Sequence, residues 1–234
     1  MNEIAVITGD IVASRELPGK NRENLFTHLE QFMVFLKDKK WLAGFELFRG
    51  DSLQCVPESK QEALRVALMI RAWMKSYSPE ANNKKKTKTS TGNTTRKGYF
   101  SGKHDIRLSI GIAEVDFYKN DNLAHSDGRA FHLSGQGLDA LKDKPERLTI
   151  QTANQGFNET LEAVMLLLDA ILEKWTSNQA EVVFYKLQNL KEDEIAKEIG
   201  ISQPAVSQRT KTSKWNAIEK LLSWFEKTIK DRQL

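Results

Sequence analysis

Apolar positions along this chain fall into two rhythms, one suited to strands and one to helices. Residues 4–8 form a short β-branched apolar run that stops at Gly9-Asp10, which predicts a buried strand. Leu25, Phe26, Leu29, Phe32, Met33 and Leu36 then recur at intervals of three and four, predicting a helix over 21–37. Two strand-like runs, 45–48 and 52–56, flank Arg49-Gly50-Asp51, where the glycine suits a tight hairpin turn. Ala63, Leu64, Val66, Ala67, Ile70 and Met74 place a second helix over 59–77. Partial alternation of Ile106, Leu108, Ile110 and Ile112 predicts a long strand over 105–115.

The pattern continues with a helix over 129–141 and a closing strand over 147–151. Gly135 and Gly137 lie inside that helix, where each costs about 1 kcal/mol relative to alanine. Either something approaches this backbone closely or the helix breaks there. The order βαββαβ predicts an α+β domain, a sheet with helices on one face, of ferredoxin-like or nucleotidyl-cyclase-like layout. Residues 1–152 are assigned to it. Residues 158–175 are helical and apolar nearly all round (Val164, Met165, Leu166, Leu167, Leu168, Ile171, Leu172), so this helix needs a partner surface. It is read as a connector, 153–177, packing between two domains or against a second copy of itself.

From residue 178 to 234 the period is helical and the segments are short. Residues 181–190 and 191–199 predict two helices, the second opening on Glu192, Asp193 and Glu194, where a helix N-terminus favours negative charge. Gly200 supplies a left-handed helix end, Ile201 points inward, Ser202 caps the next helix, and Pro204 is tolerated in its first turn. The helix over 203–211 exposes Gln203, Ser207, Gln208, Arg209 and Lys211, side chains able to reach base edges and phosphates. Ser202 and Ala205 complete the candidate DNA-binding set. The stretch LKEDEIAKEIGISQPAVSQRTKTSKWNAIEKLL resembles the C-terminal helix-turn-helix of sigma factors.

Composition narrows the classes. Forty per cent hydrophobic content in 234 residues is enough for real cores. No apolar run approaches the ~20 residues of a membrane helix and no secretory signal opens the chain, so a cytoplasmic location is expected. Cys55 has no partner for a disulfide, and one cysteine with four histidines makes no zinc-ligand spacing; Cys55 reads as a small core residue. The net charge of +4 is local, because residues 82–103 carry seven Lys and Arg and no acid. This polar segment is expected to be a mobile loop or a DNA-tracking arm. Residues 178–234 hold ten Lys and Arg against eight Asp and Glu, so one copy should bind DNA modestly and a homodimer is expected.

Two aspartates sit at strand ends. Asp10 ends the first strand and Asp51 lies in the hairpin, neighbouring positions in a βαββ sheet. Paired carboxylates beside a strand-to-helix turn suit Mg²⁺ or Mn²⁺, a hard cation that shares oxygen ligands with phosphates. The turn Ile11-Val12-Ala13-Ser14-Arg15 is positioned to aim backbone N–H groups at a triphosphate. His104, His125 and Arg129 read as surface residues, and Trp73, Trp175, Trp215 and Trp224 as core.

ITGDIVASR resembles the metal-binding strand end of class III nucleotidyl cyclases, FRGDSLQCV their Gly-Asp hairpin, RLSIGIAEV a later strand, and GRAFHLSGQGLDAL their late helix. The resemblance implies Asp10 and Asp51 as metal ligands with the Ile11 carbonyl as a third, and Val12, Ala13, Ser14 and Arg15 as nucleotide contacts. His132 and Gln136 stand where cyclases place the Asn and Arg that hold ribose and stabilise the transition state. Leu47 stands for the purine-selecting Lys. A cyclase-like domain followed by a sigma-type helix-turn-helix resembles the SatD family. The reading is a transcriptional regulator that binds duplex DNA and responds to a nucleotide held with Mg²⁺. One alternative is an active cyclase or nucleotidyltransferase coupled to DNA binding; another makes both aspartates structural and the domain a dimerisation platform.

Overall fold

The computed structural model describes residues 3–48, 51–77, 104–119 and 122–231. The basic segment 82–103 and the hairpin residues 49–50 lie outside them. The element order is β1 (Glu3–Ile11), α1 (Gly19–Asp38), β2 (Leu42–Phe48), β3 (Ser52–Pro57), α2 (Ala63–Ser76), β4 (Ile106–Glu114), α3 (Arg129–Ala140) and β5 (Leu148–Thr152). Four helices follow: α4 (Gln155–Glu173), α5 (Ser177–Leu187), α6 (Glu192–Ile199) and α7 (Gln203–Thr212), with α8 (Trp215–Asp231) closing the chain. The strands form one sheet in the order β2-β3-β1-β4-β5, antiparallel except for the parallel β4–β5 pair.

The sheet is covered on both faces, which corrects the expectation of helices on one face. Alternation along β1 explains it. Ala5, Ile7 and Ile11 join the main core with α1, α2 and α4, whereas Val6 joins a second core with Ala130 and Phe131 of α3. α3 can lie this close because two facing positions lack a Cβ. At Gly111 on β4 a methyl would strike the Ala130 carbonyl and come within 2.6 Å of the Ser134 nitrogen; at Gly137 it would strike the Ser109 hydroxyl. Close approach therefore accounts for Gly137. Gly135 meets open space, and the helix runs unbroken through both.

β1 does not stop at Gly9-Asp10 but continues to Ile11, with Asp10 opposite Ser52 on one side and Arg107 on the other. The two flanking strands supply hydrogen-bonding partners beyond the apolar run, so pairing and not hydrophobicity sets the strand end.

No break in packing separates the C-terminal helices from the sheet. Val183 and Leu187 of α5 and Trp215, Ile218, Leu222, Phe225 and Ile229 of α8 belong to the main core. Phe32 stacks on Trp73 at 4.6 Å and meets Phe184 edge-on at 5.7 Å, tying α1 and α2 to α5. Arg65 on α2 forks onto Glu226 of α8 at 2.7 and 2.9 Å. α4 packs on the sheet beside β5 through Phe157, Leu161, Met165, Leu168 and Leu172. A small third core joins Val182, Ile195, Ala196, Ile199 and Val206 across α5, α6 and α7.

Some single-residue expectations change. His104 is buried, against Tyr77 at 5.8 Å, because the chain entering β4 passes under the end of α2. Trp224 is 38% exposed, its ring touching Phe157 at only one edge of α8. Trp175 and Trp215 are core, and Trp73 is half-buried. His125 and Arg129 are exposed. Cys55 is fully buried, and burial pushes its thiol pKa up. Among the described residues no helix is long and apolar enough to cross a membrane.

Candidate functional site

β1 and the turn that follows it bring Asp10, Ser14 and Asp51 together. Backbone pairing sets the position of Asp51, whose carbonyl accepts from the Ile11 amide at 2.9 Å. Ser14 is buried and its hydroxyl donates to Asp51 Oδ2 at 2.9 Å, so the turn closes over the second carboxylate. Ala13 makes this possible by adopting a left-handed conformation, φ 54°, an uncommon state for a residue with a Cβ. Arg15 and Ala13 are exposed and Val12 is half-buried. The Val12 amide donates to the Asp105 carbonyl at 2.9 Å. That amide is committed to the sheet edge, so Val12 contributes no N–H to the expected cradle.

Asp10 carries the electrostatic interest. Burial raises its pKa above the ordinary carboxylate value, and the neighbouring Asp51 charge adds to the rise; Arg107, Lys142 and Arg147 oppose it. Arg107 Nη1 stands 3.5 Å from Asp10 Oδ2. Among the described residues three buried side-chain polar atoms have no hydrogen-bond partner: Asp10 Oδ1, Arg107 Nε and Ser109 Oγ. Strand register puts all three in one patch, since Arg107 lies opposite Asp10 and Ser109 opposite Thr8. Each unmet buried group of this kind costs about 1–3 kcal/mol. Ser109 is fully buried beneath Gly137 of α3, which leaves Asp10 Oδ1 and Arg107 as the atoms of this patch nearest the turn. Asp10 Oδ1 and Asp51 fit a hard divalent cation that takes one or two carboxylates and completes its shell with phosphate and water. Among the described residues no group of three or more His, Cys, Asp or Glu is gathered for a metal, so any such ion would depend on its ligand for the remaining oxygens.

Arg107 and Ser109 were not singled out from the sequence. The available signal was the alternation in RLSIGIAEV: Ile106, Leu108 and Ile110 face the main core, which turns Arg107 and Ser109 to the α3 face.

His132 and Gln136 are not brought to this patch. Ser134, between them, faces the sheet and shares a 2.8 Å hydrogen bond with Thr8, so its neighbours two positions away project from the opposite side of α3. Both are exposed, and His132 pairs with Asp127 at 3.0 Å. Leu47 faces Leu53 across β2–β3 and packs on the main core.

Behind the turn lies a buried ionic relay. Arg71 on α2 is 1% exposed and is held between Asp105, at 3.0 and 3.1 Å, and Asp169 of α4. Lys75 adds a 3.3 Å contact to Asp105, and Asp169 Oδ2 accepts from the Arg147 amide at 2.7 Å. Burial alone would raise the Asp105 pKa, but Arg71, Lys75 and the Ile106 amide outweigh it and hold the carboxyl below its ordinary value.

The second candidate surface is α7. α6 ends at Gly200, φ 68°, and the Ile201 amide returns to the Ala196 carbonyl at 3.1 Å, which turns the chain sharply into α7. Ser202 occupies the N-cap position, but its side chain makes no capping hydrogen bond, contrary to expectation; the exposed hydroxyl is left to solvent. Val206 and Thr210 face inward. Ser202, Gln203, Ser207, Gln208 and Lys211 are exposed, and Ala205 is half-buried. Arg209 is half-buried and lies 3.5 Å from Glu181 of α5, so part of its charge is spent within the fold.

No family model matches the chain, and no curated protein matches it. Among solved structures it is similar to one described as the structure of a bacterial light-regulated adenylyl cyclase, with 17% sequence identity and a TM-score of 0.37. That likeness covers 63% of this chain and 74% of the other.

Proposed function

We propose that this protein is a DNA-binding regulator in which α5–α8 form a helix-turn-helix unit and the Asp10–Asp51 patch binds a nucleotide with Mg²⁺ or Mn²⁺. The observation that carries the DNA half is the α6–Gly200–α7 corner, stabilised by its own small core while one face of α7 stays polar and exposed. An apolar corner fixes the angle of the second helix, and an exposed polar face is what a major groove reads. The sequence likeness of the same residues to sigma-factor helix-turn-helices supports it. Gln203, Ser207 and Gln208 are the base-reading candidates, and Lys211 a phosphate contact.

The test is a gel shift on duplex DNA from upstream of the protein's own gene, with and without nucleoside triphosphate and Mg²⁺. Lys211→Ala should weaken binding to all sequences alike and reduce the salt slope by about 1. Gln208→Ala should lower discrimination between sequences. If neither substitution changes retardation of a DNA that the wild type retards, α7 is not the reading helix.

The nucleotide half rests on Asp10 and Asp51 standing together beside the turn, with Asp10 Oδ1 unmet and Arg107 next to it. Calorimetric titration with Mg²⁺ and each triphosphate should detect binding that Asp10→Ala abolishes. The same patch also favours the enzymatic alternative, because Arg107 stands beside the carboxylate that would hold the metal. A cyclic or oligomeric product formed from a triphosphate by the wild type and lost in Asp51→Ala would make that the preferred reading.

A further inference from the structure

Strand register fixes the cation beside Asp10. Arg107 on β4 is the cross-strand partner of Asp10 on β1, and the side chains of directly opposed residues start about 5 Å apart. Both are largely enclosed, with 17% of the Arg107 side chain and 24% of the Asp10 side chain exposed. Arg107 Nη1 lies 3.5 Å from Asp10 Oδ2, while its Nε is buried without a hydrogen-bond partner. A guanidinium held in this way does not swing into solvent as a surface arginine does, and parting it from the carboxylate would strand a poorly solvated charge.

The oxygens of the two aspartates are divided accordingly. Asp10 Oδ2 faces Arg107, and Asp51 Oδ2 accepts from the buried Ser14 hydroxyl at 2.9 Å. One oxygen of each carboxylate is left over, and Asp10 Oδ1 has no partner. Two-metal phosphate sites hold their ions about 3.5–4 Å apart, close enough that carboxylates are shared between them. Arg107 stands on the side of Asp10 that such sharing would use, and among the described residues no third acidic or imidazole group joins the pair.

We infer that this site takes one divalent cation per chain and not two, and that Arg107 sets the number by standing as a fixed positive charge where a second ion would bind. The inference rests on the nucleotide reading of the Asp10–Asp51 patch and adds the composition of its ligand, one ion with one triphosphate. An arginine in that place stays charged at any physiological pH and supplies positive charge to the phosphates independently of metal supply.

Manganese counts the ions. The full chain is dialysed to equilibrium with Mn²⁺ and, in turn, the non-hydrolysable α,β-methylene analogue of each ribonucleoside triphosphate. Bound Mn²⁺ per chain and its electron paramagnetic resonance spectrum are then measured. Wild type should hold one Mn²⁺ with the spectrum of an isolated ion. Arg107→Met, which keeps much of the side chain's length and loses its charge, should hold two, with the broadened spectrum of a spin-coupled pair. Arg107→Lys should return the count to one. Two coupled ions in the wild type overturn the inference, a result that stands even if Arg107→Met fails to fold. A count of one in an Arg107→Met variant with the wild-type circular dichroism spectrum overturns it as well, because Arg107 then does not set the number. No bound Mn²⁺ with any analogue rejects the nucleotide reading and this inference together, whereas two coupled ions remove only this one.

Discussion

Asp10 is held in the fold at a cost. Its pKa is raised chiefly by burial, so the folded state binds its proton more tightly than the unfolded chain does. Stability contributed at this position therefore falls as pH rises past the unfolded value of 3.8, and at neutral pH the ionised carboxylate is a burden. Asp10→Asn should raise the melting temperature by a few degrees at pH 7, while Mg²⁺ with triphosphate should stabilise the wild type and not the variant. A lower melting temperature for Asp10→Asn would mark the carboxylate as structural. Asp105 runs the other way. Held low by Arg71 and Lys75, it stabilises the fold above its unfolded value of 3.8, and that contribution disappears as pH falls through its lower folded value. Arg71→Met leaves the buried Asp169 and the half-buried Asp105 without their shared cation and should cost about 3–5 kcal/mol in urea unfolding. It should also flatten the loss of stability on acidification.

Among the elements, α3 offers the sharpest contrast within one helix. Gly137 presses on the Ser109 hydroxyl and lies near Thr149 and Gln151, whereas Gly135 faces open space. Gly137→Ala should cost about 1–3 kcal/mol by overpacking. Gly135→Ala should gain about 0.5–1 kcal/mol, the ordinary helix preference for alanine. Chemical denaturation of the two variants side by side checks both signs. α7 shows a different economy of position. Arg209, expected among the DNA contacts, also pairs with Glu181 and so links α7 to α5. Arg209→Ala should therefore lower stability modestly as well as weaken DNA binding, unlike Lys211→Ala, which should affect binding alone.

For the molecule as a whole, the decisive feature is that the sheet and the C-terminal helices share one core. The Phe32–Trp73–Phe184 cluster and the Arg65–Glu226 fork cross from the α1–α2 layer to α5 and α8. Calorimetry should accordingly give a single unfolding transition whose van't Hoff and calorimetric enthalpies agree. Two resolved transitions would show that residues 1–152 and 178–234 unfold independently. A backbone hydrogen bond from Val12 to Asp105 and the ion pairs of Arg71 with Asp105 and Asp169 tie the turn of the proposed nucleotide site to α4.

Much of this was legible in the sequence wherever one local signal sufficed. Strands and helices followed from apolar spacing, the α6–α7 corner from Gly200 and Ile201, and the proximity of Asp10 and Asp51 from two Gly-Asp turns in a βαββ order. These are short-range properties, in which each residue's neighbours along the chain determine its backbone. What needed tertiary structure was everything set by the far side of a contact. The strand end at Ile11 depends on pairing with β3 and β4, and the coverage of both sheet faces on Gly111 admitting α3. The burial of His104 depends on α2, and the use of Arg209 on Glu181. Arg107 joined the candidate site only when strand register placed it beside Asp10. A sequence records which residues alternate; only the folded sheet says what the other face meets.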